Sequence, residues 1–109
     1  MSVPEISAQE TKALLDSGAR LRLIDCREAD EFAFCHLEKA ELIPLSVFAK
    51  AAEGQLADKE EPIVVYCHAG VRSARAANYL AQLGYTDVRS MAGGIDAWSR
   101  EVDPTVPRY

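Results

Sequence analysis

The chain has 109 residues, with 12 Lys+Arg against 17 Asp+Glu and 49% hydrophobic residues. That length holds one domain of ordinary size, able to bury roughly 65% of its unfolded surface, and excludes two. The net charge of −5 argues against general nucleic-acid binding and against docking on anionic membranes, so a small anion would need a local site that overrides the field.

Ser7-Ala-Gln-Glu10 has capping-box spacing, so a helix should start at Ser7, carry Leu14 and Leu15, and stop near Gly18. Leu21, Leu23 and Ile24 make a short strand ending at Asp25. Residues 28–34 should form a short helix with Phe32 turned inward. Residues 40–44 read as a strand and 47–52 as a short helix. Ile63-Val-Val-Tyr66 is continuous and largely β-branched, as in a strand buried on both faces. Residues 70–83 form the best helix, with Ala74, Ala77, Leu80 and Ala81 on one side and Arg75, Asn78 and Gln82 on the other. Residues 88–91 read as a last strand and 94–102 as a last helix containing Trp98. Two prolines keep residues 103–109 from continuing that helix, leaving a tail after a single domain over residues 1–102.

Short strands alternating with helices predict a parallel sheet covered on both faces, a three-layer α/β domain with right-handed crossovers. The three cysteines, Cys26, Cys35 and Cys67, are too few and too odd in number for a disulfide scaffold. They form no CxxC pair, and His36 and His68 complete no zinc-ligand spacing, so neither a metal nor a cofactor is expected. The N-terminal residues lack the pattern of a signal peptide, and the longest apolar run is far too short for a bilayer. Reduced thiols in a cytoplasmic protein are the simplest reading.

In parallel α/β folds, ligands bind beyond the carboxyl ends of the strands. Strand 63–66 delivers Cys67 there. The string Cys67-His-Ala-Gly-Val-Arg72-Ser73 then runs through a tight loop into the Ala-rich helix. Successive N–H groups in such a loop form an anion nest, and the helix dipole stands behind them. Gly70 permits the closing backbone angles, Ala69 keeps the mouth open, and Arg72 adds a permanent cation. A thiol in that nest is held largely as thiolate. The nest would equally stabilise an anion bonded to the sulfur, a persulfide or a phosphocysteine. The plain alternative is a small buried thiol at a strand end, with Arg72 and Arg75 as a solvated helix face. The complete string in its strand–loop–helix context outweighs that alternative.

Three segments resemble the rhodanese family. Ile24-Asp-Cys-Arg-Glu-Ala-Asp-Glu-Phe32, with His36-Leu37 and Ala40, resembles its first signature. Cys67-His-Ala-Gly-Val-Arg-Ser73 resembles its active-site loop, and Gly93-Gly-Ile-Asp-Ala-Trp98 its closing signature. The resemblance implies a central five-stranded parallel sheet and a persulfide-forming cysteine at Cys67, with His68, Ala69, Gly70, Val71 and Arg72 around the substrate. It implies transfer of sulfane sulfur from a small anionic donor such as thiosulfate to a thiol or a sulfur-carrier protein. The stretch 93–109 further resembles rhodanese domains behind adenylyltransferases that activate sulfur carriers. The family often has Gly where Cys35 and Lys39 stand here, which bears on the shape of that loop.

Four residues separate Cys67 from Arg72. Related cell-cycle phosphatases have one more, a larger ring for a phosphoryl group, so the spacing favours sulfur transfer over a phosphatase or arsenate reductase. A non-enzymatic sulfur-relay or partner-binding module is the alternative. For the remaining residues the structural reading leads: Arg27 pairs with Glu31 or Glu28, Cys26 and Cys35 are packed, His68 sits on the rim, Ser73 caps the helix, Trp98 is core, and Gly93-Gly94 make a tight turn.

Overall fold

A strand that is apolar throughout needs partners on both edges and cover on both faces. The computed structural model, which describes residues 3–109, supplies both. Its strands are β1 (Glu5–Ile6), β2 (Arg22–Asp25), β3 (Glu41–Leu42), β4 (Ile63–Tyr66) and β5 (Val88–Met91). Its helices are α1 (Ala8–Asp16), α2 (Ala29–Phe34), α3 (Phe48–Gln55), α4 (Val71–Gln82) and α5 (Gly94–Glu101). The sheet has five strands in the order β1-β5-β4-β2-β3, every pairing parallel. β4 therefore lies in the middle, and all of its residues are buried.

Side chains alternate across β4. Ile63, Val65 and Cys67 join one core layer, closed by Phe48 and Ala52 of α3 and by Ala76, Ala77 and Leu80 of α4. Val64 and Tyr66 join the other, closed by Ala8 of α1 and by Ile95, Ala97 and Trp98 of α5. The capping box at Ser7 is formed: the Glu10 amide donates to Ser7 Oγ at 3.0 Å and the Ser7 amide to Glu10 Oε1 at 3.1 Å. Trp98 is core, as its spacing predicts. No helix among the described residues is long and apolar enough to cross a membrane.

Four expectations need correction. β1 was not foreseen, because two residues show no periodicity; its place comes from β5, whose Ser90 amide donates to Pro4 O at 3.0 Å. The buried stripe of α4 runs through Ser73, Ala76, Ala77 and Leu80, while Ala81 is exposed. Alanine fits either side of a helix, and the polar partners of Ser73 set the rotation. Phe32 is only half-buried and stacks on His36, ring centroids 3.8 Å apart. No residue of α2 is fully buried, since the six-residue helix lies beyond the sheet's end, where Arg27 fills the interior. The expected strand over 40–44 shrinks to two residues, and a 3-10 turn over Leu45–Val47 precedes α3.

Candidate active site

Strand register brings two thiols side by side. Asp25 pairs with Tyr66 across β2 and β4, and the Cys26 amide donates to Tyr66 O at 3.0 Å. Cys26 and Cys67 thus leave adjacent strands at one level and enter the same core layer. All three cysteines are free. Burial pushes the Cys26 thiol well above its ordinary range, and the neighbouring Cys67 and Asp25 add to the shift. Cys26 is a neutral thiol there.

The loop after β4 folds around the Cys67 sulfur. Gly70 caps α4 with φ at 109°, a left-handed conformation that suits glycine. Its amide donates to Cys67 Sγ at 3.0 Å. Ser73 Oγ lies 3.5 Å from the same sulfur, donates to Gly70 O at 3.2 Å, and shares a 2.8 Å hydrogen bond with Ser90 Oγ. Ser73 is therefore a buried loop brace, and the expectation that it caps α4 is overturned: Gly70 takes the cap and turns Ser73 inward. Ser90, on β5, had no signal in the sequence; only the strand order brings it here.

A second turn braces the loop from the opposite face. The Ile95 amide donates to Cys67 O at 2.8 Å and the Asp96 amide to His68 O at 3.1 Å. A Cβ on Gly94 would fall 2.4 Å from both carbonyl oxygens, so glycine there is a condition of the close approach. With both peptides trans, the His68 and Ala69 N–H groups point away from α5. That is the face on which the Cys67 side chain lies. His68 is half-buried, while Ala69 and Val71 stand exposed at the mouth.

The charged groups pair differently from the sequence reading. Arg27 is fully buried and pairs with Asp25, not with Glu31 or Glu28. Its Nε lies 3.0 and 3.1 Å from the two carboxylate oxygens and Nη2 2.6 Å from Oδ2. Side chains two residues apart along a strand end point the same way, and the guanidinium fork matches the carboxylate there. Glu31 is left for Arg72, which donates to its two oxygens at 2.6 and 2.9 Å. Those bonds from Arg72 draw the Glu31 carboxyl down to about 2 from the usual 4.5.

Residues 103–109 form no helix, yet they are not detached. Ser99 Oγ donates to Val106 O at 2.6 Å and Arg108 Nε to Asp96 Oδ1 at 2.9 Å. The segment thereby carries Tyr109 to the mouth of the loop. The Tyr109 ring stacks on His68 with centroids 4.1 Å apart and meets Phe34 edge-on at 5.8 Å. Its hydroxyl accepts from Arg27 Nη1 at 2.9 Å and donates to Glu31 Oε2 at 2.8 Å. Phe34, Val71 and Tyr109 are exposed apolar side chains around this mouth. A cavity of 390 Å³ lined by Lys12, His36, Trp98 and Val106 includes none of residues 67–72.

A central parallel strand ending in a buried cysteine, closed by a short glycine-containing loop onto a helix N-terminus, defines a parallel α/β domain with a thiol at the carboxyl end of its middle strand. Residues 7–101 match the model of the rhodanese-like domain, and the chain belongs to that family. It is 37% identical to a protein of Haemophilus influenzae called thiosulfate sulfurtransferase GlpE, with both chains covered in full. It is 35% identical to the probable adenylyltransferase/sulfurtransferase MoeZ of Mycobacterium tuberculosis, covering 95% of this chain but only 26% of that protein. Among solved structures, the human single-domain sulfurtransferase TSTD1 superposes with a TM-score of 0.80 at 30% identity, covering 91% of this chain and 97% of that one.

Proposed function

We propose that the protein transfers sulfane sulfur through a persulfide on Cys67. The Cys67 thiolate attacks the outer sulfur of a donor such as thiosulfate. The S–S bond of the donor breaks and sulfite leaves with the bonding pair, giving Cys67–S–S⁻. An acceptor thiol or cyanide then attacks the outer sulfur and regenerates the thiolate. Two covalent half-reactions of this kind give ping-pong kinetics.

The observation that carries this reading is the Gly70 amide aimed at Cys67 Sγ at 3.0 Å. The His68 and Ala69 amides point to the same side, and the N-terminus of the twelve-residue α4 stands behind them. These groups stabilise negative charge on the sulfur or on a sulfur bonded to it. In this scheme Cys67 is the catalytic residue. His68, Ala69, Gly70, Val71 and Arg72 form the cup that receives the donor.

The likeness to proteins called thiosulfate sulfurtransferase and adenylyltransferase/sulfurtransferase supports a small anionic donor and a thiol or sulfur-carrier protein as acceptor. Thiol chemistry of this kind needs a reducing compartment, for which the cytoplasm is the expected setting. Protein treated with thiosulfate should gain about 32 Da, one sulfur, at Cys67 in the covalent half-reaction. The gain should vanish in Cys67→Ser. A protein that stays unmodified, or a variant that still gains the mass, rejects the mechanism.

A further inference from the structure

Two buried serines stand behind Cys67, and the transfer scheme gives them no part. Ser73 and Ser90 are both 0% exposed, so neither hydroxyl reaches water. Ser90 faces the Cys67 layer because side chains alternate along β5: Val88, two residues earlier, lies in that layer, and so does Val65, the partner of Ser90 on β4. A hydroxyl carries one proton and two acceptor sites. Among the described residues, Ser90 Oγ has one hydrogen-bond partner, Ser73 Oγ at 2.8 Å. A buried proton without an acceptor is costly, so Ser90 donates and Ser73 accepts. The Ser73 proton is thereby kept out of that bond. Two acceptors remain for it, Gly70 O at 3.2 Å and Cys67 Sγ at 3.5 Å.

We propose that Ser90 is a positioning residue for Cys67: it holds the Ser73 hydroxyl as a donor whose proton turns from Gly70 O to the sulfur when the thiol ionises. The inference rests on the reading of Cys67 as the nucleophile and adds a group that steadies its charge. In the neutral state the Cys67 S–H donates to Ser73 Oγ, and the Ser73 proton goes to Gly70 O. Once the thiol has lost its proton to water, an oxygen lone pair would face a negative sulfur. The Ser73 proton then swings onto Sγ, and the thiolate has two donors, this hydroxyl and the Gly70 amide at 3.0 Å. Ser90 favours that state in two ways. Its bond polarises the Ser73 O–H, and it takes one of the two acceptor sites open to the S–H.

The test titrates Cys67 by its ultraviolet thiolate absorbance, each protein read against the same protein carrying Cys67→Ser. Ser73→Ala removes the donor and should raise the midpoint by about one pH unit. Ser90→Ala should raise it by about half a unit. Ser90→Thr keeps the hydroxyl and should titrate within about 0.2 unit of the wild type. Because Ser90 acts through Ser73, adding Ser90→Ala to Ser73→Ala should move the midpoint no further. An unmoved or lowered midpoint in Ser90→Ala overturns the proposal. So does an equal rise with and without Ser73, which would mean only a loosened core. If these shifts appear but thiosulfate leaves no adduct on Cys67, sulfur transfer is rejected and the hold of Ser90 on the thiolate stands.

Discussion

Tyr109 lays its ring on the His68 imidazole, centroids 4.1 Å apart and planes 15° from parallel. The residue next to the candidate nucleophile is thereby held by one that is remote in sequence. Tyr109→Ala removes the stack, worth ~0.5–1.5 kcal/mol, and takes the acceptor from Arg27 Nη1. Tyr109→Phe removes only the hydroxyl, about 1 kcal/mol. Urea titration should show a loss of roughly 2 kcal/mol for Ala and half that for Phe. Equal losses would mean the stack contributes nothing.

The Asp25–Arg27 pair is fully buried on both sides. Cutting one partner leaves an uncompensated charge in the interior, at a cost of about 3–5 kcal/mol. Asp25→Ala should therefore destabilise the fold by that amount in chemical denaturation. The double variant Asp25→Leu with Arg27→Met should recover a large part of the loss. A single variant within about 1 kcal/mol of the wild type would contradict the buried pairing.

Gly94→Ala places a methyl 2.4 Å from the carbonyl oxygens of Cys67 and His68. Both are backbone atoms held in hydrogen bonds, so the loop itself must move. Overpacking of this kind costs about 1–3 kcal/mol, and a shift of ~1 Å at a reacting atom costs on the order of 100-fold in rate. Persulfide formation by the variant, followed by mass spectrometry, should slow by at least tenfold (about 1.4 kcal/mol). An unchanged rate would show that the second turn does not position the thiol.

Lys39 has φ at 70°, where a side chain costs ~1–2 kcal/mol. The rhodanese signature often carries glycine here. Lys39→Gly relieves that strain while adding unfolded-state freedom worth about 0.5–1 kcal/mol. A net gain of up to about 1.5 kcal/mol follows, read as a higher urea midpoint. A lower midpoint would show that the Lys39 side chain makes a compensating contact.

The acid side of the stability profile should carry the mark of Glu31. Its hydrogen bonds from Arg72 lower the folded carboxyl to about 2 against 4.5 in the free residue. A depressed folded value means the stabilisation is complete above 4.5 and is lost as pH falls toward 2. Between those limits the wild type should lose stability more steeply than Glu31→Gln. Parallel profiles would show that the ion pair contributes nothing to the fold.

The fold was legible wherever one residue type answered one local need. The capping box at Ser7, the buried run 63–66 and the loop string from Cys67 to Ser73 all carry their geometry in short range. What stayed hidden depends on strand order. Nothing in the sequence places Ser90 beside Ser73, or Glu31 rather than Glu28 on Arg72. Arg27 was misassigned because Glu31 and Glu28 stand near it across a turn, while the strand end offered Asp25. The two prolines after residue 103 correctly stop a helix. They say nothing of where the chain goes next, and that path is set by Ser99, Asp96 and the aromatic rings.

The sheet order gives the loop a timetable. The thiol belongs to the middle of the chain, but the amides that fix residues 67 and 68 come from Ile95 and Asp96, and the ring over His68 comes from Tyr109. A polypeptide emerging from the ribosome thus exposes Cys67 well before the parts that shape its surroundings exist. Until residues 94–109 have docked, the carbonyls of Cys67 and His68 and the His68 ring lack the partners that hold the loop in place.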